Sequence, residues 1–195
     1  KVFLKKIEVI KSCFNFTNND HPNFLNIHDC FEVIRGFNYV TSQLEKVKNN
    51  KELLGPNVID NVERGLKYSM EDVTWAHQEQ TKIYNNFRKF FENYDVLICP
   101  AASVSPFPHE QLFVEEINNK KLPTYMRWLA LSYAPTMAIP CAWALPCGLD
   151  HKNLPFGIQL IAPAGNDAKL SEIALAIEDA LSNYEETKRA IPDIV

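Results

Sequence analysis

Few side chains in this 195-residue sequence sit where covalent chemistry would need them. Cys147 and His151, four positions apart, are the right types for a thiol–imidazole pair. A polar turn falls between them, however, and no third group is placed to orient the imidazole. Cys99 closes a short apolar run before Pro100 and is better placed to face a site, although a free cysteine most often packs as a small hydrophobe. Ser103 and Ser105 come next, reaching either into a cleft or into a turn beside Pro106. Gln159 is polar within an apolar stretch. It either orients a pocket loop or bonds backbone groups, and the second reading is favoured because buried amides are satisfied as a rule. Trp128 and Tyr133 weigh equally as pocket lining and as core. The histidines, at 21, 28, 77, 109 and 151, lack helical i,i+4 spacing and an accompanying carboxylate set, so no metal is expected.

The whole composition narrows the classes further. Hydrophobic content of 46% and charge of 23% suit a globular chain long enough to bury a core. A net charge of −4 gives no electrostatic reason to expect nucleic acid or an anionic membrane as partner. No apolar run approaches the ~20 residues a membrane span needs. Five cysteines without a C-x-x-C pair argue against a disulfide framework and for a reducing cytoplasm. The sequence opens on Lys1 rather than methionine, a hint of removed upstream material.

Several elements must position these residues. Phe3, Ile7, Ile10 and Phe14 mark an opening helix with lysines on its other face. A second helix is expected from Asp29 to Lys48 with the stripe Phe31, Ile34, Phe37, Leu44 and Val47, and a short one from Pro56 with Val58, Ile59, Val62 and Leu66. The longest helix should start after Ser69, where Ser69 and Asp72 have the spacing of a capping box, and should carry Ala76, Ile83, Phe87, Phe90 and Tyr94. Tyr94 to Pro100 reads as a buried strand, residues 101–122 as a long irregular connection, and Thr124 to Ser132 as another helix. Strands are expected near Thr136 to Pro146 and Phe156 to Pro163, joined by the turn Asp150-His151-Lys152-Asn153. Gly157 would allow a close backbone approach there. A last helix, capped by Asn166 or Asp167, carries Leu170, Ile173, Ala174, Ile177, Leu181 and Tyr184. Three such strands make a poor core alone, so an exposed apolar face is expected.

The two late strands carry a recognisable pattern. Cys141 to Gly148 followed by Leu154-Pro155-Phe156-Gly157-Ile158-Gln159 resembles the amidase signature hydrolases, whose pattern there is P-A-x-S-x-P-x-G and then G-L-P-x-G-x-Q. Pro146, Gly148, Pro155, Gly157 and Gln159 carry the likeness. Phe31 to Gly36 (F-x-x-x-R), Gly65 to Ala76 (G-x-x-x-S-x-x-D), Tyr94 to Pro100 (Y-D-x-L-x-x-P), the proline-rich Ser105 to Pro108, and Tyr125 to Tyr133 (Y-x-x-W) resemble other stretches of that family in the same order.

The resemblance implies an α/β fold, the C-terminal part of the amidase signature fold, with a mixed central β-sheet flanked by helices and left incomplete here. Residues 1–195 would form that part of one domain, without an internal boundary. It also implies hydrolysis of carboxamide C–N bonds by a Ser–cis-Ser–Lys triad without a cofactor, the lysine acting neutral. The family's serines lie in a Gly-Ser-rich loop. The six glycines here include no adjacent pair, so no catalytic residue is expected in this chain. Cys99, Trp128 and Tyr133 are the candidate pocket residues. The implied partners are a small-molecule amide and the missing N-terminal half, with a homodimer left open and neither nucleic acid nor membrane expected. Cys141 in place of proline and Ala144 in place of serine depart from the pattern and leave open a non-catalytic docking module. A piece of an amidotransferase A-type subunit is the other alternative, against which the Y-x-x-W stretch argues.

Overall fold

Periodicity and punctuation set most boundaries in the computed structural model, which describes residues 1–138 and 140–191. The elements are α1 (Val2–Lys11), α2 (Ile27–Asn49), α3 (Pro56–Gly65), α4 (Met70–Phe90), β1 (Leu97–Pro100), β2 (Glu116–Ile117), β3 (Lys120–Lys121), α5 (Ala130–Thr136), β4 (Cys141–Leu149), β5 (Pro155–Ala162) and α6 (Asp167–Ser182). They divide into two units: Asn23–Asn86, and Lys1–Pro22 with residues 87–191.

In the Asn23–Asn86 unit, α2 and α3 meet through glycine. A Cβ on Gly65 would lie 2.3 Å from the Gly36 carbonyl oxygen, a separation no real side chain tolerates. The buried face of α2 is accordingly Ile27, Cys30, Val33 and Gly36. Apolar spacing points instead to the larger Phe31, Ile34 and Phe37, yet Phe37 is 42% exposed. Small residues win the contact because they let the backbones approach. In the same way, α3 buries Asn61 beside Val62 while Leu66 stays exposed. Asn61 is accommodated because its Oδ1 accepts from Arg35 Nε at 3.0 Å and its Nδ2 donates to the Asn57 carbonyl at 2.6 Å. The capping box of α4 forms in both directions: the Ser69 N–H donates to Asp72 Oδ2 at 2.7 Å, and the Asp72 N–H to Ser69 Oγ at 3.1 Å. At 21 residues α4 is shorter than the 23-residue α2, which is the longest helix among the described residues.

The other unit is built on an antiparallel three-stranded sheet in the order β1-β5-β4. Register pairs Cys99 with Gln159 on one side of β5 and Ala144 with Gln159 on the other. Ile158, Leu160 and Ala162 project from one face of β5 onto Leu170, Ala174, Ile177 and Leu181 of α6, with Ile10 of α1 closing the cluster. Asn166 is the cap of α6, but its side chain makes no capping bond. The pattern of α1 puts lysines on its outer face only; Lys6 is instead 6% exposed, its ammonium donating to the Glu186 carbonyl oxygen.

Two boundaries move for reasons of proline chemistry and turn chemistry. The first late strand begins at Cys141 rather than Thr136, since α5 runs through Pro135 to Thr136 and Pro140 has no N–H for a ladder. The helix expected over Thr124 to Ser132 is a 3-10 turn at Arg127–Leu129 followed by α5. The connection over 101–122 also holds a small hairpin, β2 with β3. Asn118 and Asn119, with φ of 52° and 61°, supply the left-handed pair that such a tight turn requires.

Candidate functional site

The β4–β5 hairpin is closed by a turn whose geometry Asp150 dictates. Its Oδ1 accepts from the Lys152 N–H at 2.7 Å and the Leu154 N–H at 3.0 Å. The Asp150 N–H donates to the Leu154 carbonyl at 2.8 Å, and Asn153 adopts φ 58°. Asp150 itself is 8% exposed, and its Oδ2 is buried without a hydrogen-bond partner. The Ser105 hydroxyl beside it is the largest influence on the carboxyl, lowering its pKa as a hydrogen-bonding neighbour although its alignment to Oδ2 falls short of a full bond. With the two backbone N–H donors it outweighs burial and holds the pKa at about 2.

Around this turn lies a cleft of about 1010 Å³. Its walls come from the loop after β1 (Pro100 to Phe107), Trp128, the hairpin ends at Leu149 to His151 and Pro155 to Gly157, and the start of α1. Phe107 and Trp128 meet edge to face at 5.4 Å between ring centres, giving the cleft an aromatic wall. Ser103 and Ser105 both line it.

Of the three candidate pocket residues, Trp128 lines the cleft, whereas Cys99 and Tyr133 are not among its lining residues. Tyr133 is only 5% exposed. Cys99 Sγ lies 3.2 Å from Gln159 Nε2, and burial pushes its thiol pKa up. Gln159 donates to the Leu131 carbonyl at 2.7 Å, tying β5 to α5. Pro155 and Gly157 line the cleft; Pro146 sits in register opposite Gly157, just before a bulge that includes Gly148. Cys147 is fully buried and its thiol is pushed up by burial, partly offset by the Lys6 charge, while His151 is exposed on the turn. Those two residues form no pair. Sequence reasoning misses Asp150, for which the available signal is an aspartate opening a four-residue polar turn.

The depressed Asp150 pKa has a signed consequence. The folded value, about 2, lies below the ordinary aspartate value, so its stabilisation is full above about pH 4 and fades as pH falls through about 2. Urea midpoints of the wild type should therefore fall more steeply between about pH 4 and 2 than those of Asp150→Asn. Parallel curves would show the carboxylate to be uncoupled from folding.

The comparisons with known proteins agree on a family. The family model described as Amidase matches residues 15–170. A glutamyl-tRNA(Gln) amidotransferase A-type subunit of Clostridium acetobutylicum is 35% identical over 100 residues, covering 50% of this chain and 19% of that protein. Its counterpart in Streptomyces avermitilis is 34% identical over 106 residues, covering 54% and 20%. Among solved structures, an amidase matches with a TM-score of 0.78 at 17% identity, covering 91% of this chain and 41% of its own. A bacterial aryl acylamidase of the amidase signature enzymes matches at 0.73 and 16% identity, covering 98% and 42%. The chain thus spans about a fifth of the length of these related sequences and about two fifths of these structures. With its paired signature strands forming one antiparallel hairpin beside the cleft, the chain belongs to the amidase signature family.

Proposed function

We propose that these 195 residues are the C-terminal part of an amidase, furnishing walls of its substrate cleft while the serine–serine–lysine triad lies outside them. The observation that carries this reading is the cleft itself. The family's own pattern residues, Pro155 and Gly157, stand on its rim, and the aromatic wall faces the same space. The outer edge of β4 supports it too. Ala142, Trp143 and Ala144 are exposed there on a strand edge unpaired among the described residues, a surface that wants a further strand or layer. The substrate is a small carboxamide, and the reaction is acyl transfer from amide nitrogen to a serine oxygen and then to water. No cofactor takes part in this scheme, and the setting is cytoplasmic.

The test compares two polypeptides. The 195-residue chain alone should release no product from simple carboxamides. A polypeptide extended upstream to include the family's serines and lysine should hydrolyse them, and a serine-directed fluorophosphonate should stop it. Titratable amidase activity from the short chain, or none from the extended one, would refute the proposal.

A second reading is favoured by the related sequences, which are subunits of a glutamyl-tRNA(Gln) amidotransferase. Under it, the extended polypeptide would act only in company with other subunits. Amide hydrolysis by the purified extended polypeptide alone decides for the amidase.

A further inference from the structure

We propose that Gln159 is a positioning residue of the cleft: its side-chain amide holds both roots of the aromatic wall, the turn that carries Trp128 and the loop that carries Phe107. The tie begins at a proline. Pro135 lies within α5 and has no N–H, so the Leu131 carbonyl, four residues earlier, lacks the donor that a regular helix would supply. A backbone carbonyl left open in this way needs a donor from elsewhere. Gln159 Nε2 takes that place, donating to the Leu131 oxygen at 2.7 Å. The same nitrogen reaches the end of β1, standing 3.2 Å from Cys99 Sγ and 3.4 Å from the Pro100 carbonyl oxygen.

These partners are the bases of the wall. Leu131 comes two residues after the 3-10 turn at Arg127–Leu129 that presents Trp128, and Pro100 opens the cleft-lining loop that ends at Phe107. Gln159 shares a face of β5 with Gly157, which lines the cleft, whereas Ile158 and Leu160 turn the other way onto α6. Phe107 and Trp128 stand on separate segments, yet their rings meet edge to face at 5.4 Å. Two rings hold such an orientation only when the backbones beneath them are fixed, and one amide fixes both. Gln159 itself is not among the residues that line the cleft, so it acts through the two rings.

The inference rests on the amidase reading only in its kinetic test. The first measurement is fluorine NMR of the full-length polypeptide carrying this sequence, labelled with fluorotryptophan, each resonance assigned by Trp→Phe substitution. Gln159→Met keeps the length of the side chain and removes its donors. The Trp128 resonance should shift, while that of Trp75, on α4 in the other unit, should stay. Adding Pro135→Ala separates holding the wall from satisfying a carbonyl. The new N–H can bond the Leu131 oxygen from within α5, so the double variant should regain part of the urea midpoint that Gln159→Met loses, with Trp128 still displaced relative to Pro135→Ala alone. A Trp128 resonance that is unmoved by Gln159→Met, that moves together with Trp75, or that returns in the double variant overturns the proposal, as does a midpoint that Pro135→Ala does not raise. Should Gln159→Met fail to fold, the double variant decides against Pro135→Ala alone.

Kinetics of the same full-length protein make the second measurement. In Gln159→Met, KM for benzamide should rise about tenfold with kcat unchanged, while KM for acetamide, which has no ring to set against the wall, should not move. Equal rises for the two amides, or none, overturn the proposal. Should the wild type hydrolyse neither amide, the amidase reading falls and the fluorine spectra decide for Gln159.

Discussion

Gly148→Ala is expected to destabilise the β4–β5 unit by about 3 kcal/mol, with conformational strain and steric overlap adding. Gly148 holds φ at +67°, the left-handed region, where an L side chain costs about 1–2 kcal/mol. A Cβ there would also lie 2.3 Å from the Glu186 carbonyl oxygen and 2.9 Å from Lys6 Nζ. The first of these is backbone, which cannot swing away. Relief requires the segment after α6 to move, and that segment is fixed in turn by Thr187, fully buried, whose hydroxyl donates to the Leu181 carbonyl at 2.8 Å. Moving it also withdraws the acceptor from the ammonium of Lys6, which is almost wholly buried. Gly165→Ala is the matched control. Its φ is +81°, yet nothing lies within 4 Å of the added Cβ, so only the conformational cost of about 1 kcal/mol applies. Urea unfolding of both variants separates the terms. Equal losses would mean that the Glu186 contact is absent in solution.

The same glycine shows what the sequence can and cannot disclose. Its place in the P-x-G pattern is legible, because the pattern repeats a family's residues in order. The reason for it is not, since Glu186 is 38 residues further along the chain and nothing local announces the approach. Periodicity locates α6 and its buried Leu170, Ala174, Ile177 and Leu181, as apolar spacing reports burial wherever one helix face meets one sheet face. It fails on α2, where the buried face includes Cys30 and Gly36, residues that hydrophobic patterns overlook. Lys6 is misplaced for a related reason. Its charge suggests solvent, but its stem lies along the core and its ammonium reaches a carbonyl. In the cleft, Trp128 is found through aromatic type and motif, whereas Asp150 reads as an ordinary turn residue. Turn aspartates are common, and only the burial of Oδ2 distinguishes this one.

Gly65→Ala sets two familiar effects against each other, and their sizes decide the sign. Alanine is the better former of helix interiors by about 0.8–1.0 kcal/mol, and at Gly65, the last residue of α3, part of that preference applies. Propensity alone therefore forecasts a gain. Packing forecasts a loss: the new Cβ would stand 2.3 Å from the Gly36 carbonyl oxygen, 2.7 Å from its carbonyl carbon and 2.7 Å from Val40 Cγ2. Val40 can change rotamer, but the Gly36 carbonyl belongs to the α2 backbone and is held in place by its helix. The helices must separate to reach ordinary contact distance, which opens space beside the fully buried Val62 and Cys30. Overpacking of this kind costs about 1–3 kcal/mol, occasionally more, and a clash of backbone with Cβ belongs at the upper end. The net expectation is a loss of about 2 kcal/mol, read as a lower urea midpoint by far-UV circular dichroism. Gly55→Ala, with nothing within 4 Å of its added Cβ, brings no overlap and should lose only the preference for glycine at the N-cap of α3, about 0.5–1 kcal/mol. If Gly65→Ala instead raises the midpoint, helix propensity has prevailed and α2 and α3 do not pack glycine to glycine.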